Sequence, residues 1–173
     1  MPKTYDPVTK LLHWLIFLAV AGQYAVGEFM PHIGKNAQEV GLIWVHIFLG
    51  GIVLFLIVVA IAWRLTHHVP QLPELPGWQR LAATATHWGL YLLILAMTVL
   101  GWAAANFRGW PATVFGVPIP ALANKGDRWA HTAGDVHSFL VNVLLGLVIL
   151  HVVAALYHHF FLRDKVLRRM LPS

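Results

Sequence analysis

Histidine is the residue type in this chain best placed to do chemistry. There are eleven, and seven of them, His13, His46, His87, His137, His151, His158 and His159, fall within long apolar stretches. A neutral imidazole offers one lone pair to a metal and one N–H to an acceptor, and it changes charge near neutral pH. An ionisable side chain at membrane depth is costly, so its presence there points to function. The alternative for any one of them is an interhelical hydrogen bond, but a set that sorts by depth forms a pattern. Cysteine is absent, which excludes a disulfide framework, a thiolate-held iron–sulfur cluster and covalent haem attachment through C-x-x-C-H. A metal or cofactor must rest on histidine, methionine or oxygen ligands.

The elements that carry these histidines are membrane spans. Hydrophobic residues make up 58% of the 173-residue chain and charged residues 11%, well below the quarter or so typical of soluble domains. A hydrocarbon core of about 30 Å needs roughly 20 apolar residues as helix. Four stretches qualify, at about 9–27, 41–63, 81–105 and 133–162. The expectation is a single all-α domain over 1–173, a transmembrane four-helix bundle. The first span has the basic start of a signal peptide, but it lacks a small-residue cleavage site and carries His13, so it reads as retained. Pro70, Pro73 and Pro76 break the 67–78 connector, and the longest connector runs over 106–132. Four spans place both termini on one side, with Lys3, Lys10, Arg64, Arg80, Arg163, Lys165, Arg168 and Arg169. The opposite side has Lys35, Arg108, Lys125 and Arg128. This bias predicts cytoplasmic termini. Basic residues at span ends also argue against nucleic-acid binding, and the 163–169 tail reads as a topology signal facing lipid.

Depth sorts the histidines. His46 and His137 each lie a short way inside the outer end of their span and form an outer layer. His13 and His87 lie near inner ends. His151 is fourteen residues beyond His137, about 21 Å deeper and close to four complete turns, so both point the same way. One helix thus offers a ligand to each of two stacked sites. Paired imidazoles from facing helices suit haem iron in a bundle core, and two axial histidines favour electron transfer over oxygen binding. Spans nearly free of carboxylates argue against a di-iron centre. Gly50 and Gly146 are small residues near the ligands that would let a flat macrocycle approach. Spacing alone leaves His13, His87, His151 and His158 competing for the inner site.

The segments Leu12-His13-Trp14-Leu15 and Leu150-His151-Val152-Val153-Ala154-Ala155-Leu156-Tyr157-His158-His159, followed by Asp164 and Leu167-Arg168-Arg169-Met170, resemble the bacterial cytochrome b561 family. A histidine at the head of each remaining span is similar too. A related pattern occurs in the cytochrome b subunits of membrane-bound hydrogenases and formate dehydrogenases. The resemblance implies two haem b groups, held by His13 with His151 and by His46 with His137. It further implies electron exchange with ubiquinone, with superoxide as donor, in the bacterial inner membrane.

His158 lies two turns beyond His151 and His87 at a similar depth, so both are expected to line an inner quinone site, where hydrogen bonding and proton transfer are needed; the alternative is an interfacial histidine satisfied by water. His159 is rotated off that face and is expected at the interface. Arg108, Lys125 and Arg128, with His131, could steer a small anion, but headgroup anchoring with Trp102 and Trp110 is the preferred reading. Rival functions are an anchor subunit of a larger dehydrogenase or hydrogenase, which the compact loops disfavour, and a haem-free metal or proton transporter.

Overall fold

The computed structural model describes residues 4–34, 36–67, 76–164 and 166–171. Lys3, Lys35, Lys165, Pro70 and Pro73, which enter the orientation and connector readings, lie outside them. Four helices are long and apolar enough to cross a membrane: α1 (Pro7–Phe29), α2 (Leu42–Thr66), α3 (Gly77–Phe107) and α4 (Arg128–Phe160). A short 3₁₀ turn, Leu167–Arg169, follows α4.

The helices begin where local chemistry allows. Asp6 caps α1, its carboxylate accepting the Thr9 N–H at 2.9 Å and the Thr9 hydroxyl, while Pro7 occupies a first-turn position that needs no N–H partner. The same carboxylate accepts from the Trp63 indole at 3.2 Å, tying the start of α1 to the end of α2. Pro76 precedes α3, and Arg64 in the last turn of α2 complements the helix dipole. Helices α3 and α4 start four to five residues before the expected spans. Hydropathy marks what crosses the bilayer, whereas backbone hydrogen bonding continues through the polar ends that carry Arg80 and Arg128.

Among the described residues, the four helices approach closely by backbone only between chain neighbours. Helix α1 packs on α2, α2 on α3 and α3 on α4, while no Cα of α4 comes within 8 Å of one in α1 or α2. The core lies in the inner half, where Leu12, Ile16, Val53, Ile57, Ala60 and Ile94 are buried together. The outer half of the α3–α4 seam is built from small residues, Ala103, Ala130 and Ala133, with Ala123 from the connector. A Cβ on Gly134 would sit 3.2 Å from that of Ala104, the close backbone approach by which membrane helices gain packing. Leu18, Phe55, Val58, Leu92, Phe139 and Val153 are exposed, as lipid-facing residues should be.

The outer connector holds an element the sequence reading left out. Strands β1 (Thr113–Val114) and β2 (Val117–Pro118) pair antiparallel around a Phe115-Gly116 turn, both with positive φ, the geometry of a two-residue hairpin. Asn106, buried at the end of α3, accepts from the Leu122 N–H at 2.8 Å and donates to the Trp110 carbonyl at 3.2 Å. The hairpin packs on α2 at Gly51, where any Cβ would overlap the Thr113 carbonyl. The belt role expected of Trp102 is not what the structure has, because its indole nitrogen is buried without a partner rather than turned to headgroups.

Candidate functional site

In the outer layer, the rings of His46 on α2 and His137 on α4 have centres 6.2 Å apart and stand nearly perpendicular. The His137 Nδ1 lies 2.8 Å from the Met97 carbonyl oxygen. A carbonyl can only accept, so Nδ1 carries the proton and Nε2 keeps its lone pair. A backbone acceptor behind a metal-binding imidazole is the usual way such a ring is oriented. Glycine clears room for both rings. A Cβ on Gly101 would lie 3.1 Å from the His137 ring, and one on Gly27 would lie 3.7 Å from that of His46. Gln23 donates from Nε2 to the His46 carbonyl at 2.9 Å. The His46 Nδ1 and Gln23 Oε1 are buried without partners.

The inner layer holds three imidazoles. His151 on α4 has His13 of α1 at 6.2 Å on one side and His87 of α3 at 5.4 Å on the other. Beside His87, the Arg64 guanidinium lies 5.8 Å from the ring centres of both Trp88 and Tyr91.

Two imidazoles bound to opposite faces of one metal, with bonds of about 2 Å and about 1.1 Å more to each ring centre, stand about 6 Å apart. The pairs His46–His137 and His13–His151 both meet that spacing. Both also bridge helices whose backbones stay apart, α2 with α4 and α1 with α4, which leaves width for a flat group between them. His87 differs, because α3 and α4 pack directly against each other. The residues therefore fit two iron porphyrins, one per layer. Among the described residues no cluster of three or more histidine or acidic side chains is arranged to hold a metal ion.

His158 takes a place of its own. Its Nδ1 is 2.5 Å from the Asp164 carboxylate, whose other oxygen accepts the Val166 N–H at 3.0 Å. The Asp164 N–H in turn reaches the His158 carbonyl at 3.2 Å. This loop closes on the inner end of α1, where the Trp14 indole donates to the Met170 carbonyl at 3.0 Å. His87 and His158, paired in the sequence reading, thus have different partners: His87 stands against His151, and His158 against Asp164 and Tyr157. His159 is half-buried beside Phe160.

On the outer face, a hollow of about 930 Å³ is lined by Arg108, Lys125, His131 and Glu39, among others. Burial raises the Glu39 carboxyl above its ordinary range. Arg108 straps the first connector, donating to the Gly34 and Ile33 carbonyls at 2.9 and 3.2 Å and lying over the Trp110 ring. His131 pairs with Asp135 at 3.3 Å, and Arg128 is exposed. The sequence reading missed Met97, Gly27, Gly101 and Gln23. Of its two glycines, Gly50 faces the Gln23 amide, while a Cβ on Gly146 would meet nothing within 4 Å.

Comparison with known proteins gives a concordant answer. The profile of the family described as Prokaryotic cytochrome b561 matches residues 4–173. The chain is 32% identical to cytochrome b561 homolog 2 of Escherichia coli, over 98% of this chain and 92% of the relative. It is 29% identical to the probable superoxide oxidase CybB of Yersinia pestis, over 100% and 98%. It is 31% identical to cytochrome b562 of Cereibacter sphaeroides, over 96% and 94%.

Proposed function

The chain belongs to the prokaryotic cytochrome b561 family, and from that premise we propose that it carries electrons from superoxide on the outer side of the membrane to ubiquinone on the inner side. Family membership and four spanning helices make it a multi-pass electron-transfer protein of the bacterial inner membrane, with haem b as its cofactor. The number of haems, their ligands, the donor, the acceptor and the cytoplasmic position of both termini are part of the proposal.

The observation that carries the reading is the pair of 6.2 Å imidazole contacts, one in each layer, across helices whose backbones keep apart. In it, His46 with His137 and His13 with His151 would hold two haem b groups. When bound between these imidazoles, haem b would supply a one-electron couple. The protein's own part is orientation and proton handling. His137, tied to the Met97 carbonyl, presents Nε2 in the required tautomer.

Two superoxide anions give up one electron each and leave as dioxygen, and ubiquinone takes two electrons and two protons to become the quinol. The protons come from the inner side. His158, with Nδ1 held by Asp164, keeps Nε2 for passing a proton to a quinone oxygen, and His87 offers a second hydrogen-bonding group at that level. Arg108, Lys125 and His131 line the hollow where a small anion would approach, a role compatible with the strap that Arg108 also forms. The name of the Yersinia relative supports superoxide as the donor.

The test is a spectrum followed by a rate. Purified protein should show the Soret and reduced bands of six-coordinate bis-imidazole iron, with two haems per chain, and vesicles containing it should reduce ubiquinone when superoxide is generated outside. A colourless protein made with ample haem would reject the cofactor assignment. A haem-loaded protein that reduces no quinone with superoxide would reject the donor–acceptor pair and leave the cofactor assignment standing.

A further inference from the structure

We propose that the 110–123 hairpin is a re-entrant element that sits within the hydrocarbon of the membrane, its free face covered by lipid acyl chains. This stands apart from the electron-transfer reading and rests on depth, composition and backbone hydrogen bonding.

Depth comes from α2. The stretch 42–63 contains no charged residue and, at about 1.5 Å per residue, extends about 33 Å, against a hydrocarbon core of about 30 Å. There is no slack by which its middle could lie outside the bilayer. The Thr113 carbonyl meets α2 at Gly51, about 14 Å along the helix from Leu42. The Phe115 ring contacts that of Phe55, with centres 5.2 Å apart, about 20 Å along. The tip of the hairpin therefore reaches the level of the bilayer middle.

Composition agrees. No charged residue occurs over 110–123, and Phe115, Val117 and Leu122 are exposed. They continue the apolar surface that Phe55 and Val58 present on α2. The charges stand at the neck instead, where Arg108 is strapped to the carbonyls of Ile33 and Gly34 and Lys125 packs over Gly109. A second protein chain could cover the same apolar face, but the continuity with lipid-facing α2 and the charged neck at the level of the helix ends match a bilayer profile.

Non-helical backbone at membrane depth must satisfy its own polar groups. This segment has few to satisfy. Pro111, Pro118 and Pro120 bring no N–H. Val114 pairs with Val117 and Thr113 with Pro118, the Ile119 N–H bonds the Ala112 carbonyl at 3.0 Å, and Asn106 bonds the Trp110 carbonyl and the Leu122 N–H where the segment leaves and rejoins the neck. Proline, which reads as a loop signal in sequence, here lowers the cost of immersion.

The absence of native cysteine makes the test direct. Phe115→Cys, Val117→Cys and, as a reference at the neck, Asn124→Cys would each be spin-labelled in the haem-loaded full chain in lipid vesicles. Collision with dioxygen would be compared with collision with a neutral nickel chelate. The expected oxygen-to-nickel ratio at 115 and 117 exceeds that at 124 by about tenfold or more, because polar solutes are depleted from hydrocarbon. A ratio at 115 and 117 equal to that at 124 would put the hairpin in water. Protection from both reagents would mean that protein, not lipid, covers it. Either result overturns the proposal, and position 117, on the outward strand, keeps the test open should a change at Phe115 disturb folding.

Discussion

The two histidine layers sit on the same helix fourteen residues apart, yet the protein specifies them differently. The outer layer offers a single pairing, His46 with His137; the Met97 carbonyl fixes the His137 ring, and Gly27 and Gly101 leave room for the two rings. The inner layer offers His151 two neighbours, and the nearer ring, His87, belongs to the helix packed directly on α4. The proposed assignment of His13 therefore rests on the distance between backbones rather than between rings, because a porphyrin needs a slot as well as two nitrogens.

The largest expected effect breaks this comparison outright. His46→Leu and His137→Leu should each lose about half of the bound haem while keeping the inner signal, and His13→Leu should lose the other half, read as haem per chain with spectra of the remainder. His87→Leu should keep both. If His87→Leu loses the inner haem and His13→Leu retains it, backbone spacing is the wrong criterion and the layer is clasped by α3.

A smaller effect probes the inner side beyond the ligands. Asp164→Asn leaves the haems in place but frees His158, and quinone reduction should fall about tenfold to a hundredfold, the usual cost of losing an orienting partner. Unchanged turnover would make the pair a helix-end tether. Next, Gly101→Ala drives a methyl against His137, which is tied behind to Met97 and has little room to yield. A loss of about 1–3 kcal/mol in stability is expected, with a shifted outer-haem spectrum, whereas Gly27→Ala, with more clearance, should change little.

How much of this could be read from residues alone depends on what had to be known. The outer pair was readable because depth was sufficient: a single histidine on α2 and a single histidine on α4 lie at that level. The inner layer could not be sorted by depth, which does not say which helices touch; the resemblance implied His13, and the structure sets both His13 and His87 beside His151. Met97 was invisible in principle, since its carbonyl, not its side chain, makes the contact. The hairpin escaped because two-residue strands have no period to detect and its prolines suggested plain loop. Arg108 read as a headgroup anchor, whereas its guanidinium is a strap onto the Ile33 and Gly34 carbonyls of the first connector.

The smallest expected effect lies at the inner end. Burial opposes ionisation of Asp6, but the hydrogen bonds from Thr9 and Trp63 outweigh it and hold the carboxyl below its ordinary range. A carboxylate lowered on folding stabilises the protein above its unfolded value of about 4 and loses that contribution as pH falls through the folded value. Asp6→Ala should cost about 1 kcal/mol and flatten the acid side of a thermal-stability profile. An acid limb of unchanged slope would remove Asp6 from the account.

The nearest-neighbour order of the helices bears on biogenesis. Each helical hairpin, α1–α2, α2–α3 and α3–α4, unites segments that emerge in succession during synthesis, so each can assemble before the next span is made. Contacts of such short range form early. Meetings between remote segments, such as Trp14 with the Met170 carbonyl and His13 with His151, must wait for the last helix or the tail behind it, which sets helix insertion ahead of closure in the life of the molecule.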